Sequence, residues 1–124
     1  MISVFFVSLF MTFFIVRFFA HKLDGPYEMR ARTPTKKLRH KTGYDIHHIH
    51  IGIAILIVIF VGILFDEISK IDVMFLGIGS SLVLDQLAPW FNQDIGYFNK
   101  KSILYAFALH LFVFMIYFIG KRIL

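Results

Sequence analysis

Polar residues fall in clumps along the chain and leave four long apolar runs, over about residues 2–20, 49–65, 71–91 and 102–120. Each is near the roughly 20 residues that a helix needs to cross about 30 Å of hydrocarbon. The first run holds one charge, Arg17, and the third is broken by Asp72 at its start and Asp85 inside. The second is rich in isoleucine and valine, which favour strand in water. In lipid the need to satisfy every backbone group outweighs that preference, and four spans do not close a barrel. The expected fold is therefore an all-α integral membrane protein. It is a four-helix transmembrane bundle in one membrane domain spanning residues 1–124. The first run lacks a basic leader and ends in Phe18-Phe19-Ala20, a poor cleavage site, so it is read as a retained span and not a removed signal.

Composition agrees with this pattern. The 124 residues are 58% hydrophobic, with 16 phenylalanines. A soluble domain is about 45–50% apolar, and one this short could not hide the excess. Soluble enzyme, disordered tail and nucleic-acid module are all disfavoured. The absence of cysteine excludes disulfides, thiolate metal sites and thiol nucleophiles.

Charge gives an orientation. The chain carries +5 overall. Residues 21–48 hold Lys22, Arg30, Arg32, Lys36, Lys37, Arg39 and Lys41 against Asp24, Glu28 and Asp45. The turn between the second and third runs holds Asp66, Glu67 and Asp72 with Lys70, and the last connection holds Lys100 and Lys101 against Asp94. By the positive-inside rule, 21–48 and 92–101 face the cytoplasm, most simply in the cytoplasmic membrane, and the N-terminus lies outside. Lys121 and Arg122 oppose this but are outnumbered. Trp90, Tyr97 and Tyr105 fall at the cytoplasmic boundary, where interfacial aromatics belong. The basic connection, with turn signals at Gly25-Pro26, Thr33-Pro34 and Thr42-Gly43, reads as irregular and surface-lying. Lys36, Lys37, Arg39 and Lys41 within it are candidates for anionic lipid headgroups.

The candidate chemistry gathers near that boundary. In Asp45-Ile46-His47-His48-Ile49-His50-Ile51-Gly52, Asp45 is placed to cap the second helix. His47 and His50 are three apart and share a helix face, a spacing that lets two imidazoles meet one ion. His48 points about 100° away. Asp85 lies about 7 Å inside the boundary marked by Trp90, near the level of His50, and His110 lies about 13 Å below Lys101. Two or three histidines with one carboxylate are a common ligand set for zinc and non-haem iron. His47, His50 and Asp85 are the expected metal ligands, with His48 and His110 as catalytic or fourth-ligand candidates. The plainer reading has Asp85 neutralised by Arg17 or capped by Ser81. His110 would then bond Tyr105, Tyr117 or a backbone carbonyl as helix glue. Gly77, Gly79, Ser80 and Ser81 allow close helix packing.

The His cluster opening a span, followed by Leu84-Asp85-Gln86-Leu87-Ala88-Pro89, resembles the small membrane-bound metal-dependent hydrolases of the YdjM type. The resemblance covers two short patches within about residues 47–90 and implies metal roles for His47, His50 and Asp85. That family's first motif is closer to His-Arg-x-x-Thr-His-Ser, where this chain has His-His-x-His-x-Gly.

Three function classes follow. The first is a metal-dependent hydrolase at the cytoplasmic leaflet. It would use zinc, or iron or manganese, on a lipid-like or phosphorylated substrate. The second is a proton or metal-ion transporter or channel subunit built on the same His and Asp residues; four spans would then call for a homo-oligomer. The third is a structural membrane subunit whose polar residues hold helices together. Haem held by His50 and His110 is a minor fourth option. Membrane lipids are partners in every case, and nucleic acid in none.

Overall fold

The structure is a computed structural model and describes residues 1–24, 48–91 and 100–123. Its described residues form four helices and no strand. These are α1 (Ile2–Asp24), α2 (His48–Ile63), α3 (Lys70–Phe91) and α4 (Lys100–Ile123). Two stretches, Ile2–Phe19 and Lys100–Gly120, are long and apolar enough to cross a membrane. Among the described residues α2, at 16 residues, is the shortest helix.

The short link from α2 to α3 is built from local bonds. Past Ile63 the chain tightens, with Leu64 donating to the Val61 carbonyl at 3.1 Å and Phe65 to the Gly62 carbonyl at 3.0 Å. These i to i+3 bonds satisfy carbonyls that a helix end leaves open. Helix α3 then starts at a capping box. The Asp72 N–H donates to Ser69 Oγ at 3.2 Å, and the Ser69 N–H donates to Asp72 Oδ2 at 2.8 Å. Two N-terminal donors are thereby met reciprocally.

Helix α3 is the hub. Helices α1 and α2 lie along it, α4 packs on it less extensively, and α1 and α4 touch least. Among the described residues α2 packs on α3 alone. Two glycines of α3 make the close approaches. A Cβ on Gly77 would sit 2.5 Å from the Phe5 carbonyl oxygen of α1. On the other side, a Cβ on Gly52 of α2 would sit 2.8 Å from the Gly79 carbonyl oxygen. Neither contact leaves room for a side chain, so backbone meets backbone on both flanks.

The buried positions repeat every three or four residues. On α1 they are Phe6, Leu9, Phe13 and Arg17, and on α4 they are Ser102, Ala106 and His110. On α3 they include Val73, Gly77, Ser81 and Asp85. This is the spacing of one helix face. The outer faces are apolar and open: Val58 is 68% exposed, Phe60 67% and Phe65 85%.

Candidate functional site

The buried faces of α1, α3 and α4 converge on charge. Arg17 and Asp85 form an ion pair with side chains only 9% and 1% exposed. Arg17 Nε donates to Asp85 Oδ1. Nη2 donates to the Asp85 backbone carbonyl at 3.2 Å and to Ser102 Oγ at 3.4 Å. One guanidinium thus ties α1 to both α3 and α4. The sequence explains why the carbonyl is open to it. In a helix the Asp85 carbonyl would accept from the N–H of residue 89, but residue 89 is proline and has none. Arg17 supplies a donor in its place.

Toward the middle of the helices the polar face continues. His110 Nδ1 lies 2.7 Å from the Ala106 carbonyl oxygen, and Nε2 lies 3.0 Å from Ser81 Oγ. A carbonyl can only accept, so Nδ1 carries a proton. In the neutral ring Nε2 is then the acceptor, and the Ser81 hydroxyl donates to it. Both side chains are fully buried. Ser81 and Asp85 are one turn apart on α3, as Ser102, Ala106 and His110 are on α4. Beyond His110 the interior turns aromatic. Phe10 and Phe13 flank the imidazole with ring centroids at 6.1 and 4.7 Å. Phe6 packs on Phe114 and Tyr117 at 5.0 and 5.4 Å.

The expected residues are distributed as follows. Asp85 and His110 are both interior, and Asp85 is held by Arg17. His48 opens α2, with Nδ1 3.5 Å from Gln86 Nε2. That contact brings the start of α2 beside the residue that follows Asp85. His50 is exposed on the first turn of α2. His47, Lys36, Lys37, Arg39 and Lys41 lie outside the described residues, as does the capping candidate Asp45. Among the described residues, no three His, Asp or Glu side chains group so as to hold a metal ion.

Among the described residues the polar cluster joins α1, α3 and α4. The backbone-carbonyl partner foreseen for His110 is present, but the side-chain partner is Ser81 and not Tyr105, which is 54% exposed. Ser102 was not anticipated; its signal was the four-residue spacing to Ala106 and His110. No protein-family model, curated protein or solved structure matches the chain.

Proposed function

We propose that the chain is a four-span integral membrane protein with a structural role, in which the Arg17–Asp85–Ser102 cluster locks α1, α3 and α4 together. The observation that carries this reading is the buried Arg17–Asp85 pair. In lipid the apolar faces of helices have little reason to prefer each other over acyl chains, so small-residue contacts and interhelical polar bonds decide which helices associate. Gly77, Gly79 and Gly52 supply the first, and Arg17, Asp85, Ser102, Ser81 and His110 the second. The open apolar surface of α2 and the two long apolar stretches suit an acyl environment. The basic connection 21–48 lies on the cytoplasmic side, with Lys36, Lys37, Arg39 and Lys41 toward anionic headgroups. A conduit is less well supported, because the polar line of α3 and α4 gives way past His110 to packed aromatic rings.

A metal-dependent hydrolase is the second reading. The contact between His48 and Gln86 favours it, since it brings the histidine-rich opening of α2 to the Asp85 turn. His47, His50 and Asp85 would hold the ion (zinc, or iron or manganese), with His48 and His110 nearby. It ranks second because the described donors do not group and the Asp85 carboxylate already serves Arg17.

Thermal unfolding in detergent, paired with metal analysis by mass spectrometry, separates the two. Breaking a buried pair from one side costs about 3–5 kcal/mol, whereas replacing both partners with apolar residues is often neutral. The structural reading expects Arg17→Leu and Asp85→Leu each to destabilise strongly and the double variant to recover most of the loss. About one metal per purified chain, lost in His50→Ala and in Asp85→Leu, would overturn it in favour of the hydrolase.

A further inference from the structure

We infer that Ser81 and His110 form a nucleophile–base pair inside the bundle, suited to acyl transfer from a lipophilic ester. Ser81 Oγ lies 3.0 Å from His110 Nε2, and with the neutral ring protonated at Nδ1 the hydroxyl is the donor. The imidazole is fixed in the tautomer that can take that proton, because Nδ1–H is engaged by the Ala106 carbonyl at 2.7 Å. A hydroxyl nucleophile needs a base within hydrogen-bond reach and a third group that orients the base. All three are present, and both side chains are 0% exposed.

The same bond that joins the two helices also has the geometry of a hydroxyl facing a base. Ser8 shows the simpler solution, its hydroxyl donating back to the Val4 carbonyl of its own helix at 2.8 Å. Ser81 instead addresses an imidazole on another helix.

The substrate class follows from the way in. The seam between α1 and α4 is the lightest contact in the bundle, and side-chain rings close it. Phe107 meets Phe10 and Phe14 at 6.5 Å each, and Phe14 is 56% exposed on the outside. Given the membrane placement proposed above, that seam faces acyl chains and the rings must part to admit a substrate, so the electrophile is an uncharged ester carried in the lipid. In the step, Ser81 Oγ bonds to the acyl carbon and its proton passes to His110 Nε2. The ester C–O bond breaks, and the leaving alkoxide departs with that proton as the alcohol. Water then enters by the same route, giving its proton to Nε2 as it attacks, and the acid is released as Ser81 regains its hydrogen.

The test is reaction of the full chain in micelles with a long-alkyl fluorophosphonate. This probe forms an Oγ–P bond and expels fluoride, with the serine proton leaving as HF. Peptide mass spectrometry is expected to place the adduct on Ser81. It should vanish in Ser81→Ala, slow by about a hundredfold in His110→Gln, and persist in Ser80→Ala. Circular dichroism confirms that each variant stays helical. Folded native protein with no adduct on Ser81, or an adduct that forms equally fast in His110→Gln, overturns the proposal. Because the reaction is read in micelles, a negative result leaves the four-span arrangement untouched.

Discussion

Pro89 and Arg17 act on the same oxygen. A proline one turn beyond Asp85 removes the N–H that would have met the Asp85 carbonyl, and the Arg17 Nη2 fills the gap at 3.2 Å. Restoring the N–H with Pro89→Ala should therefore make the second arm of the guanidinium less necessary. Arg17→Lys, which keeps the charge but loses the fork, is expected to cost less in a Pro89→Ala background than in the native chain. A double-mutant cycle on melting should give a coupling of about 0.5–3 kcal/mol. Zero coupling would mean that only the carboxylate matters to Arg17. At this scale the sequence was partly legible. An acid inside a span announces a partner, and Arg17 stood among the candidates for Asp85. The choice between Arg17 and the histidines was not readable, because it depends on how α1 lies against α3. The Gly77 approach to Phe5 sets that, and no spacing within either run encodes it.

At the scale of elements, identical residues have opposite meanings. Gly77 sits against the backbone of α1, whereas a Cβ on Gly62 in α2 would meet nothing within 4 Å. Gly77→Ala should loosen α1 from α3 and lower the melting temperature sharply. Gly62→Ala should be neutral or gain up to about 1 kcal/mol through helix propensity. Comparable losses at both sites would show that Gly62 faces a neighbour. The start of α3 yields a second test. Ser69→Ala removes the hydroxyl of the capping box and should cost about 0.5–2 kcal/mol in thermal unfolding. The four helices were readable from the length and hydropathy of the four apolar runs. The hub was not. Gly77, Gly79, Ser80 and Ser81 pointed to close packing along this run, but not to which helices would meet it on each flank.

For the whole molecule, charge and cysteine content make the topology directly measurable. The chain has no cysteine, so single cysteines can be introduced against a silent background. Glu67→Cys in the acidic turn and Lys101→Cys at the start of α4 are expected to react with a membrane-impermeant maleimide from opposite sides of sealed vesicles. Labelling from the same side would overturn the four-span arrangement. The side from which Lys101→Cys reacts fixes whether the basic connection 21–48 is cytoplasmic. The exposed, apolar α2, which among the described residues rests on α3 alone, should be the first helix to lose amide protection as detergent conditions are made harsher.

The Arg17–Asp85 pair also sets a schedule. Its members are 68 residues apart in the chain. At a synthesis rate of about 5–20 residues per second, Arg17 emerges some 3–14 s before its counter-ion exists. In the membrane arrangement proposed above, the guanidinium waits through that interval at the headgroup level, where its long side chain can reach water or phosphate. On that arrangement, α1 would reach its final depth only once α3 has been made. On that clock, the first helix to be made is not the first to be seated.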